Sequence, residues 1–476
     1  MTPHYLDRLA RLVHATHTKD LGESTRAAAR AVTLDTIGAM LAGSRLDENA
    51  RLARLAAGRS GPKTVTLIGH DALAEPMFAA LANATAGVSL EVDEGNRWGG
   101  GHPAIHVLPA TLAVAEEMRT SGAALIEALV AGYEVTSRLG GATRARPNVH
   151  SHGTWGTAGA AAAIARLRGA DPSAIRAVIN LATSMSPANS WAPCFEGATI
   201  RNLYPGRAGL QAILAVHLLH CGYSGVDDAP SDLYGTILGE DFDVAAAVDG
   251  LDADDRPTVF RIERNYFKFH ACCLYNHPAL DAVHALVRTE KIAADAVERI
   301  SVTSLPFVEQ MAEPAPPAML AAKFSVPHAV AAAVVLGTTD VSAFLDDARN
   351  DPRVRDLATR VEVRGDPAMS MRESNRPQAR VAITLRDGRV LSRETFVVHG
   401  DAANPRSPSE LISKFTSLAA PTVGDTRATE IVDVVEHLHE LRDIRELTSK
   451  LGGASAIARS DGSGQRIRSR ASTPGS

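Results

Sequence analysis

Apolar residues recur at helical spacing from the start of the chain. Leu6, Leu9, Leu12 and Val13 share one face of a first predicted helix. A second is predicted over Ala28–Leu41, entered through Glu23-Ser24-Thr25 and closed by Gly43, a residue suited to a left-handed C-cap. Thr64–Gly69 alternates like a short strand, and Ala72–Leu90 is helical again. Leu108–Met118 and Gly122–Leu139 read as paired helices, followed by an alanine-rich helix ending at Leu167. Asp171-Pro172-Ser173 opens a further helix by N-cap and proline-first-turn logic, and Gly206–Cys221 is one more.

From about residue 258 the period changes. Val259–Glu263, Val297–Leu305, Val361–Val363, Arg380–Leu385 and Val390–Val398 predict strands, with Arg386-Asp387-Gly388-Arg389 as an Asp-Gly hairpin turn. Helices over Pro278–Val287, Val326–Leu336 and Val341–Leu345 interleave with them. Ser409–Leu418 and Thr426–Leu441 return to helical period and are expected to pack back on the first half. The fold class is therefore mainly α: a helical domain from residues 1–257 and 405–451, a smaller α+β lid over 258–404, and a disordered Gly/Ser/Arg-rich tail over 452–476.

Composition narrows the class. A chain of 476 residues exceeds one ordinary core, and abundant alanine with 4% aromatics favours closely packed helices. The formal charge of -5 gives no bias toward nucleic acid or anionic membranes. Cys194, Cys221, Cys272 and Cys273 form no metal or disulfide framework and read as reduced thiols. Neither a signal peptide nor a membrane span is read, so a soluble cytoplasmic protein is expected.

Polar segments interrupt the helices and carry the candidate chemistry. They are Glu91–Pro103, His150–Gly159, Arg201–Arg207 and Lys268–Cys273. Histidines can move protons near neutral pH, while glycines and threonines let backbone N–H groups approach a ligand at a helix start. By themselves these residues fit turns and N-caps equally well. His106 and His152 read as supporting residues, Glu94 and Arg97 as a solvated or locally paired surface, and Gly99-Gly100-Gly101 as an anion cradle or a flexible loop. The close histidine pairs fit no zinc motif, and Gly153, Gly156 and Gly159 follow no strand, which argues against a dinucleotide fold.

Taken together and in order, the motifs resemble the MmgE/PrpD family. The resemblance is carried by Asp35-Thr36-Ile37-Gly38-Ala39, Asp93 with His102-Pro103, Gly132-Tyr133-Glu134-Val135, and His150 with Gly153-Thr154-Trp155-Gly156. It continues through Leu203–Ala208, Lys268 with Cys272-Cys273 and His277-Pro278, and Phe324-Ser325-Val326-Pro327. It implies a helical domain with an inserted α+β lid, a homodimer, and a site that needs no metal or other cofactor. It also implies a lyase of the 2-methylcitrate dehydratase kind on a small di- or tricarboxylic acid, with epimerase (iminodisuccinate) or decarboxylase (cis-aconitate) chemistry as alternatives. A carboxylate-binding protein without catalysis is the non-enzyme alternative.

The resemblance places catalytic roles on Asp93, His102, His150 and Lys268, and substrate binding on Asn96, Arg201, Tyr204 and His328. The family usually has lysine at Arg201 and histidine at Tyr204. Arginine can hold a carboxylate by a bidentate fork but does not give up a proton, so binding survives this change and acid–base duty does not. Breaking a bond next to a carboxylate needs cations for the carboxylate and groups that move protons. Arg201 and Lys268 are expected to supply the first, His102 and His150 the second, and Asp93 to orient an imidazole.

Overall fold

The computed structural model describes residues 4–369 and 377–452. The expected tail lies outside the described residues, apart from Gly452. The first helix, Tyr5–Ala15, buries Leu6, Leu9, Leu12 and Val13, and His4 Nδ1 caps it by accepting the Leu6 N–H. Asp171 caps Pro172–Ser184 as expected by accepting the Ala174 N–H.

The alanine-rich helix Trp155–Leu167 packs against Pro103–Met118, Gly122–Ala142, Pro172–Ser184 and Leu203–His220. Small residues set these spacings. A Cβ on Gly159 would lie 1.8 Å from Thr136 Oγ1, so only glycine permits this crossing. Gly43 has the same role and not the expected one. It is the last residue of Glu23–Gly43, not a left-handed cap, and a Cβ there would lie 1.8 Å from the Ala86 carbonyl oxygen.

The second unit is built on a four-stranded sheet in the order Val361–Gly365, Val297–Ser304, Ala379–Leu385, Val390–Thr395, with the first pair parallel and the others antiparallel. Helices His277–Glu290 and Val326–Val335 pack on it. The Asp387-Gly388 hairpin forms, with Gly388 at φ +87°. Two expectations fail here. Val259–Glu263 is not a strand: Arg261–Arg264 makes a 3₁₀ turn, because the Arg261 N–H is drawn to the buried Glu134 carboxylate. Val341–Phe344 is a single 3₁₀ turn capped by Asp340.

Helix Pro408–Val423, which follows the sheet unit, packs on Glu23–Gly43. Its Lys414 Nζ donates to Asp35 at 2.5 Å and to the Val92 carbonyl at 2.8 Å, which ties the back of the acidic segment Glu91–Glu94 to the chain's last helices. Among the described residues no helix is long and apolar enough to cross a membrane.

Candidate active site

Where the helical body meets the sheet unit lies a cavity of about 310 Å³, lined on its polar side by Glu91, His102, His150, His152, Arg201 and Tyr266, with Trp191 and Phe307 as apolar wall. Its floor begins at the end of helix Pro76–Val88. The chain turns there through Glu91, whose φ of +56° is left-handed for a residue with a side chain. That conformation costs roughly 1–2 kcal/mol. It is held by ion pairs, from Arg201 to Glu91 and from Lys268 Nζ to Glu91 Oε2 at 2.8 Å.

Lys268 also lies 3.7 Å from Asp93, whose other oxygen is 3.0 Å from His102 Nδ1. Burial opposes ionisation of both acids, yet the cations outweigh it. Arg201 and Lys268 hold Glu91 below the usual carboxylate range, and Lys268, helped by the hydrogen bond from His102 Nδ1–H, does the same to Asp93. Burial would likewise discharge Lys268, but Glu91 and Asp93 raise it above the ordinary lysine value. The charges are thus matched inside the protein. Lys268 and Asp93 do not line the cavity: Lys268 stands behind Glu91, and Asp93 behind His102.

Hydrogen bonds fix the proton positions on three imidazoles. His102, at the N-cap of Pro103–Met118, has only acceptors around Nδ1: the Glu94 carbonyl at 2.7 Å and Asp93. The proton sits on Nδ1, so Nε2 presents a lone pair, 3.5 Å from the Tyr266 hydroxyl. His150 is the reverse. Its Nδ1 accepts the His152 N–H at 3.0 Å, so the neutral ring carries its proton on Nε2, which has no protein partner. Burial, then Arg201, pushes His150 well below the usual histidine value and keeps it neutral. His106 spends both nitrogens, one on the His102 carbonyl at 2.7 Å and one on the Gly153 N–H at 2.8 Å, and burial lowers it to about 4.

The remaining expected residues divide. Arg201 lines the cavity and keeps Nε without a hydrogen-bond partner. Asn96 lines it too, but its amide is spent on the Arg261 carbonyl and the Gly99 N–H, shaping the loop. Tyr204 stands behind His150, ring centroids 5.7 Å apart, with its hydroxyl on the Ser190 carbonyl. His328 is not brought to the cavity: its Nε2 is 2.9 Å from the Ala343 carbonyl. Among the described residues no three of His, Cys, Asp or Glu are placed to hold a metal ion.

A sequence model of the MmgE/PrpD N-terminal domain matches residues 7–237, and one of the MmgE/PrpD C-terminal domain matches residues 270–440. The chain belongs to the MmgE/PrpD family. Similar members include the cis-aconitate decarboxylase of Mus musculus, 26% identical with 94% of this chain and 93% of that protein covered. The Homo sapiens cis-aconitate decarboxylase is 25% identical, with 94% and 95% covered. That of Aspergillus terreus (strain NIH 2624 / FGSC A1156) is 24% identical, with 91% and 93% covered.

In this MmgE/PrpD chain the structure adds Glu91, Tyr266 and His152 to the cavity wall. Glu91 had a signal in the sequence: Leu90-Glu91-Val92-Asp93 alternates acid with apolar residue, which is costly unless the acids meet cations. The surface reading of Glu94 and Arg97 is overturned. Both are buried; Arg97 pairs with Asp401 at 2.6 Å, and Glu94 accepts from the Ala104 N–H at 2.7 Å and the Tyr133 hydroxyl at 2.9 Å. Gly99-Gly100-Gly101 is not a loose loop, since it packs against Ser137, Trp155 and Ser151, and Gly100 and Gly101 line the cavity.

Burial raises the Glu94 carboxyl from 4.5 to about 8, against the pull of the Ala104 N–H and Tyr133. Between those values the unfolded chain binds fewer protons than the folded one, so stability from this group falls as pH rises through the window. Glu94→Gln should therefore gain in Tm relative to the parent from about pH 5 to pH 8 in scanning calorimetry. A pH-independent difference would mean that Glu94 is ionised in the fold.

Proposed function

We propose that this chain is a lyase that removes water from a small di- or tricarboxylic acid, beginning with proton abstraction next to a carboxylate. The observation that carries the reading is the pair of opposite tautomers on two residues that line one cavity, a lone pair on His102 Nε2 and a proton on His150 Nε2. Arg201, which lines the cavity, holds the substrate carboxylate in place of a metal ion. His102 Nε2 takes the carbon-bound proton, and Asp93 steadies the imidazolium so formed. His150 Nε2–H donates to the charge that develops on the carboxylate. Lys268 positions the site through Glu91 and Asp93 without touching substrate.

Decarboxylation is the second reading, favoured by the cis-aconitate decarboxylases among the relatives. It needs the same held anion but breaks a carbon–carbon bond. Epimerisation on the same residues is a third outcome. A cytoplasmic homodimer belongs to the same reading; the free thiols, including exposed Cys221, fit a reducing compartment, and the dimer rests on family resemblance.

The test is proton NMR of the chelator-treated protein in heavy water with 2-methylcitrate, citrate, cis-aconitate, iminodisuccinate and tartrate. Deuterium entering next to a carboxylate, with a new alkene and no carbon dioxide, is the expected result. Carbon dioxide release would select decarboxylation, and inversion alone epimerisation. A folded sample that shows no exchange and no product with any of the five sinks the reading. Activity lost to chelator and restored by zinc would sink its metal-free form.

A further inference from the structure

The imidazole of His152 has no task in the scheme above, yet its placement is the most demanding in the cavity. It is buried, and neither Nδ1 nor Nε2 has a hydrogen-bond partner in the protein. Its backbone, by contrast, is pinned on both sides: the N–H donates to His150 Nδ1 at 3.0 Å, and the carbonyl accepts from Asn189 Nδ2 at 2.7 Å. The ring therefore cannot leave the cavity wall, and it sits among the other histidines. Its centroid lies 4.6 Å from that of His102, 4.8 Å from His150 and 5.2 Å from His106.

A buried polar ring with both nitrogens unspent is costly, and here it belongs to a residue of the cavity wall. The other rings cannot serve as the proton donor to a leaving group. His106 has used both nitrogens, and His150 would have to become an imidazolate because its Nδ1 already accepts a backbone N–H. His102 arrives at the reaction without a proton on its cavity side.

We propose that His152 is a further catalytic residue, the acid that gives a proton to the departing hydroxyl. This rests on the dehydratase reading. His152 enters the step as the imidazolium, its extra proton carried in from bulk solvent together with the anionic substrate, whose carboxylates offset the burial and the Arg201 charge that otherwise keep the ring neutral. His102 Nε2 accepts the proton from carbon, the C–H pair becomes the C=C bond, and the C–O bond breaks. The hydroxyl leaves as water with the proton of His152. His102 then passes its gained proton to the neighbouring His152 ring, so that substrate yields alkene and water with no change in the protein. Burial first, then Arg201 and the neighbouring His102, His150 and His106, holds His152 well below the usual histidine value in the empty cavity, and the incoming carboxylates act against that push.

The test compares the parent with His152→Gln and His152→Asn in the full-length chain, in heavy water, with the substrate found in the panel. Deuterium exchange at carbon reads the His102 step, and alkene formation reads the donor step. The expected result is exchange within a few-fold of the parent while elimination falls roughly 100- to 10,000-fold with little change in KM. Elimination within a few-fold of the parent in either folded variant would overturn the assignment. So would equal loss of exchange and elimination, or a rise in KM alone, since both mark a binding or structural role. If both variants fail to fold, His152 is a structural residue and the assignment falls. A parent that shows no exchange, or that releases carbon dioxide, refutes the dehydratase reading itself and takes the donor role with it.

Discussion

Lys268→Ala is expected to be both inactive and markedly less stable. The ammonium is fully enclosed between Glu91 and Asp93, and removing one member of a buried charge network typically costs about 3–5 kcal/mol because the partners stay buried without compensation. The resemblance alone implies a lysine that holds the substrate carboxylate. With Lys268 behind the carboxylates, its loss frees Glu91 to move against Arg201 and removes the cation that keeps Asp93 charged beside His102. Thermal unfolding together with turnover checks this. A variant of unchanged Tm that has lost only substrate affinity would return Lys268 to the cavity and contradict the arrangement described.

The second large effect falls on His102. His102→Asn keeps an amide N–H where Nδ1–H stood and can donate to the Glu94 carbonyl, so the turn before Pro103 should hold and stability should change little. Loss of the Nε2 lone pair is expected to lower kcat by roughly 100- to 10,000-fold with KM nearly unchanged. Deuterium exchange at the carbon next to the carboxylate should fall by the same factor. Exchange that survived in this variant would move the base to another residue.

Much of this was legible in the chain because the determinants are local. Alanine at helical spacing places the helices around Trp155–Leu167, Asp171-Pro172 marks a helix start, and Asp387-Gly388 marks the hairpin. His102 and His150 were legible as candidates because they recur in order with Asp93, Lys268 and the other family motifs; their own loops fit turns and N-caps equally well. What the sequence hides is decided by partners far away in it. The tautomer of His102 depends on the Glu94 carbonyl, and that of His150 on the direction of the His152 N–H. Glu94 in an acidic loop reads as solvated, yet Tyr133 and the Ala104 N–H enclose it. Arg261 leaves its expected strand because Glu134, on another helix, needs a donor. Lys268 reads as a ligand-binding cation because nothing near it in sequence reveals that Glu91 has already claimed it.

That claim bears on which molecules the cavity admits. A pocket walled by bare cations would gather phosphate, sulfate and nucleotides from a crowded cell, because its field falls off slowly and does not distinguish one anion from another. With Glu91 and Asp93 set against Arg201 and Lys268, the resting cavity presents little net charge to passing ions. Discrimination then moves from charge to shape and to where hydrogen-bonding groups sit, and a generic anion gains too little to displace the internal partner. The left-handed turn at Glu91 is thus the cost of a vestibule that ignores the commonest ions around it.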